Sequence, residues 1–151
     1  MAISADIPRL ERRAHILVVD DEPANRVVAR KFCELFGASV TLACDGFEAV
    51  QACAGHVFDL VLMDMRMPGM NGFQACQEIR ALPEPACAHV PIVIVTADAG
   101  TVHADFDRCI GLSGVVEKPL SMQRLFFAVS RALAEGSAAT GREGADEAAA
   151  G

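Results

Sequence analysis

The sequence predicts an α/β fold, a parallel β-sheet with helices packed on both of its faces. Three observations carry that expectation. Short runs of near-continuous Val, Ile and Leu recur along the chain, which is how a strand reads when both faces of its sheet are covered. Segments with apolar residues at helical spacing lie between those runs, so that strand and helix alternate five times. Acidic and polar residues follow the ends of the predicted strands, the edge of such a sheet at which ligands bind.

The first strand is read at residues 15–19. A helix follows over 23–36, with Pro23 at its tolerated start, Val28, Phe32 and Leu35 on one face, and Gly37 just past its end. A weaker apolar run at 39–42 gives the second strand, and Phe47, Val50 and Ala54 mark the second helix. The third strand covers 58–63 and leads to a helix carrying Phe73, Cys76 and Ile79. Residues 82–89 contain Pro83 and Pro85 and read as an extended loop before the fourth strand at 90–95. Val102, Phe106 and Ile110 mark a short fourth helix, and residues 114–116 the fifth strand. Met122, Leu125, Phe126, Val129 and Leu133 then form the apolar stripe of a last helix capped by Ser121. Right-handed crossovers between such elements give a doubly wound, five-stranded parallel sheet with five helices, and the flavodoxin-like order 2-1-3-4-5 suits the length.

Residues 1–13 form an N-terminal extension and 14–135 a single domain. Residues 136–151, rich in Ala, Gly, Glu and Ser, read as a disordered tail that leaves no room for a DNA-binding output domain. With 52% hydrophobic and 22% charged residues, the 151-residue chain has ample material for a buried core. Thirteen basic residues against twenty acidic ones, a net charge of −7, and the lack of any Lys/Arg cluster argue against nucleic-acid binding. No apolar run approaches the roughly 20 residues that cross a bilayer, and no secretory leader is present, so a cytoplasmic protein without a membrane partner is expected. The six cysteines form no C-x-x-C pair, which disfavours both a zinc site and a disulfide framework. The four histidines lack ligand spacing and read as structural or surface residues.

The chemistry sits after the strands. Strand one ends in Asp20-Asp21, strand three in Asp64, strand four in Thr96, and strand five leads into Lys118-Pro119. In a doubly wound sheet these groups converge at one rim. Clustered carboxylates repel one another unless a cation sits among them, and hard oxygen ligands of this kind suit Mg²⁺, with Mn²⁺ as the alternative ion. An aspartate carboxylate can serve as the nucleophile of phosphoryl transfer, a reaction that asks chiefly for alignment and charge neutralisation. Asp64 fits that role, Lys118 supplies a compact cation for a phosphoryl oxygen, and the Thr96 hydroxyl supplies a hydrogen-bond donor.

Four blocks resemble the response-regulator receiver family: Ile16 through Pro23, Asp64 through Gly72, Val95-Thr96-Ala97 and Lys118-Pro119. The resemblance spans roughly residues 14–135, with the blocks in family order and spacing. It implies Asp64 as phosphoacceptor, Asp20 and Asp21 as metal-binding acids, a metal contact from the Arg66 backbone carbonyl, and phosphoryl contacts from Thr96 and Lys118. It also implies a histidine kinase or histidine phosphotransfer protein as phosphodonor, a downstream protein partner, and no turnover beyond the chain's own phosphorylation and dephosphorylation. The stretch from Asp20 to Arg26 resembles receivers that work with hybrid histidine kinases, which points to a phosphorelay. One departure stands out: Val115 occupies the position where the family usually places the aromatic residue that swings with pocket closure. The resemblance implies that Arg66 and Asp98 border the path of an attacking water, where they could form a salt bridge over the site. Phe127 falls off the last helix's stripe and is expected to be exposed. Two other readings compete. A pseudo-receiver interaction module is argued against by the intact acids. An aspartyl-nucleophile phosphatase would need Asp-x-Asp, and the second position here is Arg66.

Overall fold

Five strands form the sheet: β1 (His15–Val19), β2 (Ser39–Ala43), β3 (Leu60–Asp64), β4 (Ile92–Thr96) and β5 (Leu112–Glu117). All neighbours pair in parallel, in the order β2-β1-β3-β4-β5. The structure, a computed structural model, describes residues 7–100, 102 and 111–150, and from residue 137 onward its backbone only. Among the described residues the helices are α1 (Pro23–Leu35), α2 (Gly46–Gly55), α3 (Gly72–Arg80), α4 (Pro85–His89) and α5 (Met122–Ala150).

The strands alternate their side chains between two apolar layers, as a sheet covered on both faces requires. Leu17, Val19, Val61, Met63, Ile92 and Ile94 face the layer built with α2, α3 and α4. Ile16, Val18, Leu60, Leu62, Val93 and Val95 face the layer built with α1 and α5. On α5 the predicted stripe is the packed face, with Leu125 and Val129 fully buried. Among the described residues no helix is long and apolar enough to cross a membrane.

The structure departs from the sequence reading in several places. On α1 the buried residues are Ala29 and Cys33, while Val28 and Leu35 are exposed. On α2 the packed residues are Gly46, Ala49 and Cys53, and Phe47 is 57% exposed. Both helices lie closest to the sheet through small residues, with Phe32 and Val50 packed beside them and Val28, Leu35 and Phe47 turned outward. Residues 85–89, expected to be extended, form α4, because Pro85 occupies the first helical position, where its fixed φ and missing N–H cost nothing. The segment expected to be a disordered tail is helical through Ala150 as the continuation of α5. Alanine is the best helix former, and Gly136 is where this helix passes Pro91, since a Cβ there would fall 2.9 Å from the Pro91 ring. Of the helix predicted on Val102, Phe106 and Ile110, only Val102 is described, and it is buried in the α2–α3 layer; the other two lie outside the described residues.

Candidate functional site

Strand register builds the site. Val19 pairs with Met63, so the residue after β1, Asp20, comes to lie beside the last residue of β3, Asp64. Asp64 pairs with Val95, which brings Thr96 one step further along the same rim. Thr96 pairs with Glu117, and the ladder continues for one residue as the Lys118 N–H donates to the Thr96 carbonyl at 2.7 Å. All the side chains expected at the rim from strand ends therefore meet at the carboxyl edge of the three central strands and β5.

Asp20, Asp64 and Thr96 are buried, at 6%, 4% and 3% exposure, and are the buried polar residues among those described. Carboxylate oxygens of Asp20, Asp21 and Asp64 lie within 4.8 Å of one another. The Lys118 ammonium reaches into this cluster, 3.2 Å from Asp64 Oδ1 and 3.3 Å from Asp20 Oδ2. One ammonium among three carboxylates leaves the charge uncompensated. Burial, with the Asp20 carboxylate adding to it, pushes the Asp64 carboxyl up from an ordinary 3.8 to about 6, against the opposing pull of Lys118. Burial of Lys118 acts to lower its pKa, but Asp64 and Asp20 together outweigh that and the net shift is upward. A cluster of oxygen donors with a deficit of positive charge is what a hard divalent cation fits, and Asp20, Asp21 and Asp64 could hold one.

Local structure fixes each member. The Glu22 N–H donates to Asp20 Oδ1 at 2.9 Å, and the Arg26 guanidinium donates to the Asp20 carbonyl at 2.6 Å. The Asp98 N–H donates to Thr96 Oγ1 at 3.2 Å, which leaves the Thr96 hydroxyl hydrogen available to a ligand. Beneath Asp64, the Gly72 N–H donates to the Met65 carbonyl at 2.9 Å, and Asn71 and Gln74 close a capping box on α3. A Cβ on Gly72 would fall 2.5 Å from the Asp64 carbonyl oxygen, so only glycine lets α3 start this close to the acceptor strand. Arg26 and Gly72 are site residues that strand-end reasoning did not single out. Their signal lay in the stretch from Asp20 to Arg26 and in the block from Asp64 to Gly72.

The flanking residues are arranged differently from expectation. Arg66 is exposed, and among the described residues no ion pair joins it to Asp98. Val115 pairs with Ile94 and is half-buried, packing against the α2–α3 layer. It also lines a groove of about 450 Å³ with Ala99, Glu117, Gln123, Arg124 and Phe127. Phe127 is 64% exposed, as its place off the stripe predicts.

Comparison with known proteins agrees with this geometry. Residues 16–130 match a family model described as the response regulator receiver domain. The sensor protein GacS of Pseudomonas syringae pv. syringae is 41% identical over 127 residues, covering 82% of this chain and 14% of that protein. The probable transcriptional regulator ycf27 of Cyanidium caldarium is 34% identical over 115 residues, covering 76% of this chain and 44% of that protein. The chain thus spans less than half the length of these relatives. The receiver domain of a sensor histidine kinase from Pseudomonas aeruginosa PAO1, solved with a magnesium ion coordinated in its active-site cleft, superimposes with a TM-score of 0.71. It is 32% identical, over 82% of this chain and 99% of that one.

Proposed function

The chain belongs to the response regulator receiver domain family of two-component signalling, and on that premise we propose that Asp64 is its phosphoacceptor. The donor is a phosphohistidine on a histidine kinase or histidine phosphotransfer protein. The observation that carries the proposal is the buried Asp64 carboxylate, crowded by Asp20 and Asp21 and touched by a single ammonium. In the transfer, a carboxylate oxygen of Asp64 bonds to phosphorus as the phosphorus–nitrogen bond of the donor breaks and the imidazole departs. Such a transition state is loose, and the protein's task is to align and to neutralise. Lys118 moves its ammonium from the carboxylates to a phosphoryl oxygen, and Thr96 donates its free hydroxyl hydrogen to another. Asp20, Asp21 and Asp64, with the Arg66 carbonyl, would hold Mg²⁺, or Mn²⁺ in its place, and the ion would supply positive charge to offset the charge of the transferring group. The chain performs its own phosphorylation and dephosphorylation and turns over no other substrate.

Val115 argues that the signal leaves by another route than an aromatic swing, through the loop after Thr96, or passes onward as the phosphoryl group itself in a phosphorelay. Arg66 and Asp98 modulate how long the acyl phosphate survives. The founding test is incubation with acetyl phosphate and Mg²⁺, read by intact mass. A single phosphoryl adduct, lost in Asp64→Asn and with EDTA, is expected. No adduct would make the chain a binding module only, and steady phosphate release from varied monoesters would make it a phosphatase.

A further inference from the structure

We propose that Arg26, a residue of α1 outside the carboxylate cluster, is a positioning residue for the divalent cation, acting by its grip on the peptide plane between Asp20 and Asp21. The inference rests on the reading of those two acids as the cation's ligands. Arg26 Nη1 donates to the Asp20 carbonyl oxygen at 2.6 Å. That oxygen lies in the same rigid plane as the amide nitrogen of Asp21, because the peptide bond between them does not rotate. The tilt of this one plane sets ψ of Asp20 and φ of Asp21 together. Turning it swings one carboxylate relative to the other.

Asp20 is anchored elsewhere on every side. Its N–H donates to the Ala43 carbonyl at 3.2 Å, Oδ1 accepts from the Glu22 N–H at 2.9 Å, and Oδ2 faces Lys118 at 3.3 Å. Those contacts fix the Asp20 side chain and the strand before it. The Glu22 bond closes a ring through the plane leading to Asp21 without gripping its carbonyl oxygen, and Arg26 is the one side chain hydrogen-bonded to that oxygen among the described residues. The grip is itself well held. The Arg26 N–H donates to the Glu22 carbonyl at 3.0 Å, so the stem rises from the first turn of α1, and the side chain is half-buried. The bond has a charged donor, the stronger class of hydrogen bond. The helix start has no side-chain cap of its own, since Glu22 makes none, and Arg26 ties that start back to the end of β1.

Mg²⁺ tolerates little departure from octahedral geometry, so a loosened angle between two of its acids is felt as lost affinity. Residues that orient ligands without touching the metal typically contribute about 10- to 100-fold. The sign of the effect separates this role from plain electrostatics. A guanidinium near the site repels a dication, so by charge alone its removal would tighten Mg²⁺ binding. Positioning predicts the opposite.

The test is the Mg²⁺ affinity of the full chain, by titration calorimetry, for the unmutated protein, Arg26→Met, Arg26→Lys and Arg30→Met. Arg30 pairs with Glu34 at 3.8 Å on the same helix and controls for loss of a helix arginine. Arg26→Met, which keeps the apolar stem and removes the donor, is expected to weaken Mg²⁺ about tenfold. Arg26→Lys, a point donor without the planar fork, should fall between, and Arg30→Met should match the unmutated chain. Affinity of Arg26→Met within about twofold of the unmutated chain, or tighter, overturns the inference. Should Arg26→Met not fold, Arg26→Lys decides, with about threefold weakening expected and no change overturning it. An unmutated chain that takes up no Mg²⁺ sinks the reading of the acids and this inference with it. An unmutated chain that binds, with Arg26→Met unaffected, sinks this inference alone.

Discussion

Replacing Asp64 by Asn should make the metal-free protein less sensitive to pH, with a direction and size that follow from the crowding of the site. The Asp64 carboxyl is raised from 3.8 to about 6 in the folded chain, so between those values the folded state binds a proton that the unfolded state does not. Stability from that proton is fully present below the unfolded pKa and is lost as pH rises through the folded one. At about pH 5 the folded carboxyl is protonated roughly nine times in ten and the unfolded one roughly one time in twenty, a difference worth about 1.4 kcal/mol relative to about pH 7.5. Water at the site's open mouth and adjustment by Lys118 reduce this, and about 1 kcal/mol is the expected effect. The asparagine amide of the variant cannot titrate. Urea unfolding in EDTA at about pH 5 and about pH 7.5 should therefore show the unmutated protein losing about 1 kcal/mol against Asp64→Asn as pH rises. Saturating Mg²⁺ at the higher pH should restore the unmutated protein more than the variant, because the ion binds the folded carboxylates. A stability gap that stays constant within about 0.3 kcal/mol, or that opens in the other direction, would refute the claim that burial and Asp20 hold this carboxyl above its ordinary range.

Gly72→Ala should destabilise by about 2 kcal/mol in urea unfolding, because the overlap of its Cβ with the Asp64 carbonyl, 2.5 Å away, outweighs the roughly 0.5–1 kcal/mol that alanine gains in a helix; a neutral or stabilising result would contradict that packing. Val115→Phe should stay within about 1 kcal/mol of the unmutated protein by the same assay, since the adjoining groove of about 450 Å³ can take the ring, and a loss beyond about 2 kcal/mol would mean the groove is closed to it. Phe127→Ala, at a side chain 64% exposed, should change stability by less than about 0.5 kcal/mol and leave acetyl phosphate labelling intact, while slowing phosphotransfer from the cognate histidine donor; equal rates from that donor would remove Phe127 from the docking face.

What the sequence disclosed and what it concealed follow one physical rule. A central strand of a parallel sheet must be apolar along its whole length, so the first charged residue after each run marks its carboxyl end. Asp20 and Asp64 were legible for that reason, Thr96 as the first polar residue of its run and Lys118 as the residue after Glu117, and the pairing of Val19 with Met63 brings Asp20 and Asp64 side by side. Helix faces were less legible because size misled. Val28, Leu35 and Phe47 are large apolar residues of α1 and α2 that stay exposed, while Ala29, Cys33, Ala49 and Cys53 are the fully buried ones, with Phe32 and Val50 packed beside them. Close helix–sheet approach selects small side chains, and the period of small residues is weak in a hydropathy pattern. α4 was hidden by the prolines around it, and the extension of α5 by its glycines, although Gly136 marks a close approach to Pro91 rather than a stop. The Arg26 grip on Asp20 spans six residues and ends on a backbone oxygen, and no side-chain pattern reports a bond of that kind.

The two apolar layers explain how so unfavourable a cluster persists at the rim. Leu60, Val61, Leu62 and Met63 in β3, and Ile92 through Ile94 in β4, are exposed by 2% or less, with alternate residues committed to opposite layers. Slipping either strand by one residue would send every one of these side chains to the wrong layer, so the register is held by many contacts at once. The carboxylates at the strand ends inherit that rigidity and cannot drift apart to relieve their repulsion. Relief comes only from added positive charge. Lys118 supplies one such charge, a proton on Asp64 supplies a second at acid pH, and near neutrality a dication can take the proton's place. The core's hold on Asp20 beside Asp64 is thus what suits the rim to a doubly charged, oxygen-seeking ion and, on the function proposed above, to a phosphoryl group whose oxygens such an ion and Lys118 together could neutralise.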